Sequence, residues 1–194
     1  MVRNAINELQ DILDKINNRY FEEQLLLVSE LVGNAFKTRN KILLVGNGGS
    51  AAEAQHMAAE YTATLSSRNF RNGLPAIALT TDTSFLTAWS NDFGVNDIFA
   101  RQVETLGCDG DVLFAYSTSG NSENIIRAAE VAKSKQISVV GLTGSEGGKL
   151  KSIAQTCFSV PSENTARIQE CHTLIGHIVC AQVEKLLGFP FAKE

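Results

Sequence analysis

From residue 41 onward the chain alternates short apolar runs with longer stretches of helical period, and this alternation narrows its fold more than any other feature. The runs cover residues 42–45, 76–79, 112–116, 138–142 and 157–160. A strand that is apolar at consecutive positions has no side to give to water, so such runs belong in a sheet covered on both faces. Parallel neighbours need long crossovers, and the stretches 50–66, 84–90, 96–106 and 122–134 have the pattern of crossover helices. The expectation is an α/β fold built on a parallel sheet.

Ahead of the sheet, residues 4–16 and 22–36 carry apolar side chains at spacings of three and four, as in Ile6, Leu9, Ile12, Leu13 and Ile16. They predict a helical hairpin or a dimerisation face. A last helix over 165–187 is long and largely apolar, which predicts packing against the core or another subunit. Polar residues 66–74 predict a surface loop, and the GSEGGK run at 144–149 a flexible connection. The pattern changes only near residue 40, with no internal repeat. One domain is therefore expected over 1–194, with helices in 1–40 and an α/β core plus carboxyl-terminal helix in 41–194.

A net charge of -4 without any basic cluster argues against a nucleic-acid surface. No apolar stretch approaches the ~18 residues of a membrane span, and the amino terminus lacks the apolar core of a signal peptide. A cytoplasmic protein with no membrane contact is expected. The cysteines, at 108, 157, 171 and 180, show no CxxC pair and no zinc-finger spacing, which predicts reduced thiols. Cys171 and Cys180 neighbour His172 and His177, but no further group is at hand to orient a Cys–His nucleophile.

The chemistry-bearing residues gather in two loops and two helices. After the first run comes GNGGS, where Gly46, Gly48 and Gly49 allow a tight turn and Ser50 with Glu53 fits a capping box. Free N–H groups at such a helix start attract phosphate, which makes Asn47, Gly48, Gly49 and Ser50 an anion cradle. A dinucleotide fingerprint does not fit, because Ala51 stands where its third glycine belongs, and no lysine follows for a Walker loop. After the third run comes STSGNS, in which Ser117, Thr118, Ser119 and Ser122 offer hydroxyls and Gly120 permits close backbone approach. Both loops fall at the carboxyl ends of strands, where open parallel sheets collect ligands.

His56 and Glu60 are four residues apart and share one helix face, each able to ligate a metal or move a proton. The plainer alternative is a solvent-facing polar pair. In the last helix Arg167, Gln169, Glu170, His172 and His177 interrupt an apolar segment, where histidines are often satisfied core residues. Gln169 and His177 differ by roughly 80° and 12 Å on a helix, so both stretch toward one metal or one of them serves a neighbouring subunit. Asn91 and Asp92 read as an Asx turn, and Trp89 beside them as core.

Taken together, GNGGSAAEAQH, AIALTTDTS, SNDFG, STSGNS and TARIQECH resemble, in order and spacing, the sugar isomerase (SIS) family and its phosphoheptose isomerase branch. The likeness runs from the opening helices to about Leu187. It implies a three-layer sandwich with a five-stranded parallel sheet, assembled as a homotetramer with active sites at subunit contacts. It also implies conversion of sedoheptulose 7-phosphate to D-glycero-D-manno-heptose 7-phosphate, in the making of nucleotide-activated heptose for lipopolysaccharide or capsule. Carried onto this chain, substrate contacts fall on Asn47, Gly48, Gly49, Ser50, Glu60, Asn91, Asp92, Ser117, Thr118, Ser119, Ser122 and Gln169. The family's zinc, one per subunit, matches His56, Glu60, Gln169 and His177, with Glu60 as base and His177 as acid.

Where the family commonly has a Gly-Arg pair this chain has Ala63 and Thr64, which leaves Arg68, Arg71 or another subunit to make any anion contact of that arginine. Two alternatives share the loops. One is a non-catalytic SIS protein that binds the bacterial replication initiator, a reading opposed by the retention of Glu60 and His177. The other is an isomerase or sensor of a different phosphosugar, because a cradle reads phosphate better than carbon number.

Overall fold

A computed structural model describes residues 2–67 and 70–189. Helices α1 (Val2–Ile16) and α2 (Arg19–Lys37) form the opening hairpin, and Asn18 ends the turn between them by accepting the Phe21 N–H on its side chain. The sheet follows as β1 (Ile42–Val45), β2 (Ala76–Ala78), β3 (Val112–Tyr116), β4 (Ser138–Thr143) and β5 (Thr156–Ser159). All neighbours pair in parallel, in the order β2-β1-β3-β4-β5.

The intervening helices are α3 (Gly49–Thr62), α4 (Thr83–Phe93), α5 (Ile98–Leu106), α6 (Glu123–Ser134), α7 (Gly148–Ile153) and α8 (Thr165–Leu186). Alternate strand residues face opposite ways and build two cores. Ile42, Leu44, Phe114, Tyr116 and Leu142 pack under α1, α2, α3 and α8, while Leu43, Val45, Leu113 and Val139 pack under α5, α6 and α7. A layer of helices on each face of one sheet makes the three-layer sandwich that the apolar runs imply.

Four expectations need correction. The connection at 144–149 is only partly a loop, because Gly148 already begins α7, a helix whose six residues are too few to show a period. The helix expected over 50–66 stops at Thr62, and residues 91 and 92 lie in the last turn of α4 and not in an Asx turn. Ser50 does not cap α3. Gly48 is the cap, at φ +55°, and Ser50 sits inside the helix while Glu53 turns away to accept the Thr173 hydroxyl at 2.6 Å.

The amino ends of β1 and β3 are tied by Asp111, which is 1% exposed. It accepts from Lys41 N (3.0 Å), Lys41 Nζ (2.7 Å), Cys108 N (2.8 Å) and Asn40 Nδ2 (3.2 Å). Burial opposes its charge, but these bonds outweigh burial and hold the carboxyl below the usual range.

Candidate active site

The strand order reverses direction between β1 and β3, and a crevice opens beyond their carboxyl ends at such a switch point. GNGGS leaves β1 and STSGNS leaves β3, so the two loops flank that crevice. They are stitched together by a reciprocal amide pair: Asn47 Nδ2 donates to Asn124 Oδ1 and Asn124 Nδ2 to Asn47 Oδ1, both at 2.9 Å. Asn124, buried in the first turn of α6, was not singled out in the sequence because only its contact across 77 residues gives it meaning.

Donors are left over on both sides. Among the described residues, the N–H groups of Gly48 and Gly49 at the start of α3, and of Glu123 and Asn124 at the start of α6, find no backbone hydrogen-bond partner. Among the described residues no group hydrogen-bonds the hydroxyls of Ser50 or Thr118. Ser117 Oγ donates to Ser122 Oγ at 3.1 Å, and Ser119 Oγ accepts the Asn121 N–H at 3.1 Å, which fixes the loop's shape. Gly120 sits at φ +65°, and a Cβ there would lie 2.1 Å from Gly147 O, so the loop passes α7 at a distance only glycine permits. Two helix starts with unpaired N–H groups suit a phosphate.

Beyond the cradle, α3 and α8 bring three reactive groups together within one chain. His56 Nε2 and His177 Nε2 are 2.8 Å apart, and His56 Nδ1 is 3.8 Å from Glu60 Oε1. One ligand atom from each of His56, Glu60 and His177 lies within 4.8 Å of the others. Two facing imidazole nitrogens either share a proton or turn both lone pairs to a metal, and two imidazoles with a carboxylate are a zinc-type donor set. Gln169 lines the same hollow of about 410 Å³ as His56, with Gly49, Ala52, Glu53 and Thr173. Its amide lies so near Gly49 that a Cβ there would be 2.7 Å from Oε1. His177 therefore reaches His56 and Glu60 within its own chain.

Other expected members stand apart. Asn91 and Asp92 hydrogen-bond each other at 2.8 Å on the exposed end of α4. Arg71 is unavailable to an anion, since its guanidinium is buried against Glu184, and Arg68 lies outside the described residues. His172 is a core residue, its Nε2 at 3.2 Å from Thr143 O and its imidazole driven by burial down to about 4. Burial likewise pushes the Cys180 thiol up to about 12, which removes it as a nucleophile.

Comparison with known proteins gives the family of the chain that carries these residues. Residues 6–144 match the SIS domain family model. A phosphoheptose isomerase of Aneurinibacillus thermoaerophilus is 51% identical over 171 residues, 86% of this chain and 84% of that protein. Phosphoheptose isomerase 2 of Campylobacter jejuni is 47% identical over 96% of this chain and 88% of its own. The structure of phosphoheptose isomerase GmhA from Neisseria gonorrhoeae superposes with a TM-score of 0.86 at 40% identity, covering 95% of this chain and 97% of that one. With the family model matching well over half its length and these relatives spanning most of it, the chain belongs to the SIS domain family and, within it, to the phosphoheptose isomerases.

Proposed function

We propose that the protein is an aldose-ketose isomerase that interconverts sedoheptulose 7-phosphate and D-glycero-D-manno-heptose 7-phosphate. The observation that carries this reading is the juxtaposition of the cradle at the start of α3 with His56, Glu60 and His177 further along α3 and α8. A phosphate held by Asn47, Gly48, Gly49, Ser50, Ser117, Thr118, Ser119 and Ser122 leaves the sugar carbons to extend toward the imidazole-carboxylate cluster. Gln169, on the wall of the same hollow, is a sugar contact in this reading, and Asn91 and Asp92 contribute to a site completed by assembly.

In the ketose-to-aldose direction Glu60 takes a proton from C1, His177 hands one to O2 and recovers one from O1, and Glu60 returns its proton to C2. The intermediate is an enediol, and the proton count balances. Glu60 suits the role of base because its side chain is only 19% exposed, which limits competition from water. Zinc, one per subunit, would be held by His56, Glu60 and His177 with Gln169 as the fourth candidate, and when bound it supplies Lewis-acid stabilisation of the sugar oxygens.

We further propose a cytoplasmic homotetramer whose product feeds activated heptose for lipopolysaccharide or capsule. Tyr20 at 69% and Phe93 at 68% exposure are large apolar side chains of the kind another subunit covers. Among the described residues no helix is long and apolar enough to cross a membrane.

A panel of phosphorylated ketoses with five, six and seven carbons tests the substrate. The seven-carbon ketose is expected to turn over best, and equal rates on shorter sugars would overturn that assignment. Elemental analysis of protein purified without a histidine tag tests the metal. Absence of zinc, with activity surviving chelation, would leave the cluster as acid-base groups alone.

A further inference from the structure

Arg71 and Glu184 form an ion pair whose side chains are 1% and 4% exposed. Every arm of the guanidinium is engaged. Nε donates to Glu184 Oε1, Nη2 to Glu60 O at 2.8 Å, and Nη1 to Tyr61 O at 2.8 Å and Asn72 O at 3.1 Å, while Phe189 stacks 5.7 Å from its centre. The carbonyls of Glu60 and Tyr61 belong to the last turn of α3, where an α-helix runs out of its own N–H partners. A buried cation thus caps the helix that carries Glu60. Its counterion stands on α8 seven residues beyond His177, a separation that returns to within roughly 20° of the same helix face.

We infer that Arg71, anchored by Glu184, is a positioning residue for the isomerisation: it fixes the end of α3 against α8 and thereby the separation of Glu60 from His177. This rests on the reading that those two side chains move the protons. Stability alone does not explain the pair. Two charges this deeply buried lose in desolvation much of what they gain in attraction, and an apolar pair of similar volume often holds a fold as well. What an apolar pair cannot supply is a planar fork that grips two successive helix carbonyls at once. Reaction rates are sensitive to displacements of this kind, since a shift on the order of 1 Å between reacting groups costs about a hundredfold.

The test combines the paired variant Arg71→Met with Glu184→Leu, the single variant Arg71→Lys, and Glu60→Gln as control. Each is examined as full-length protein by thermal melting and by steady-state kinetics on sedoheptulose 7-phosphate. The paired variant leaves the Glu60 and Asn72 carbonyls without the guanidinium, so it is expected to melt several degrees below the parent yet stay folded at the assay temperature, with KM inside about threefold and kcat lowered about 10- to 100-fold. Arg71→Lys keeps a charge for Glu184 but loses the fork, and a lowered kcat at unchanged KM is expected there too, which keeps the inference open to refutation if the paired variant does not fold. A folded paired or lysine variant with the parent's kcat, beside an inactive Glu60→Gln, would overturn the inference and leave the reading of the site intact. Full turnover by Glu60→Gln would overturn both.

Discussion

The two ends of the sheet treat their polar groups in opposite ways. At the amino ends of β1 and β3, Asp111 accepts from Lys41, Cys108 and Asn40, and the chain completes its own network. At the carboxyl ends of the same two strands, the N–H groups of Gly48, Gly49, Glu123 and Asn124 have no backbone partner among the described residues. A buried polar group stripped of its partner costs about 1–3 kcal/mol, so the closed end contributes stability and the open end forgoes it. The proposed function takes the open end as the one that meets the ligand.

The largest effect expected from breaking this contrast is at the open end. Glu60→Gln or His177→Ala should lower kcat/KM by about 10²- to 10⁴-fold, the usual contribution of a general acid or base, with the melting temperature nearly unchanged. Steady-state assays beside thermal melts check this. The mirror-image change at the closed end, Asp111→Ala, should cost roughly 2–4 kcal/mol in urea unfolding by orphaning the Lys41 and Cys108 N–H groups, with KM and kcat untouched. Altered kinetics there would show that the ends are not separable.

A smaller effect is expected where the open loop meets α7. Gly120→Ala forces a Cβ to within 2.1 Å of Gly147 O at φ +65°, so the STSGNS loop must move. Backbone strain of this kind is on the order of 1–3 kcal/mol, and KM for the phosphosugar should rise about tenfold while kcat at saturation changes less. The smallest effect concerns pH. His172 has its folded value depressed from 6.5 to about 4, so the unfolded chain binds a proton that the folded chain refuses. Its contribution is constant above pH 6.5 and turns unfavourable as pH falls from there toward 4. Urea midpoints should report a loss of about 1 kcal/mol by roughly pH 5.5, and His172→Gln should be less sensitive over the same interval.

Much of the closed framework was legible in the chain, for a physical reason. Fully buried parallel strands must be apolar at every position, and the run Ile42 to Val45 coincides with β1 as Val112 to Tyr116 does with β3. The six-residue α7 was not legible, since it spans less than two turns and begins on two glycines that read as a loop. At the site, the spacing of His56 and Glu60 foretold a shared face, whereas spacing alone did not fix the approach of His177 on α8 to within 2.8 Å of His56. Ser50 misled because its hydroxyl suits a cap, whereas the turn after Gly46 is so tight that a Cβ at Gly46 would meet Ser50 O at 2.3 Å. Asn124 and the Arg71–Glu184 pair were beyond reach, because their partners lie 77 and 113 residues away and no local pattern encodes such pairings.

The most direct test of the account follows sedoheptulose 7-phosphate by nuclear magnetic resonance as it meets the purified protein and its Glu60→Gln variant. The account predicts that anomeric signals of the seven-carbon aldose phosphate grow with the parent protein and stay absent with the variant. No aldose from the parent, or the same rate from both, would contradict it.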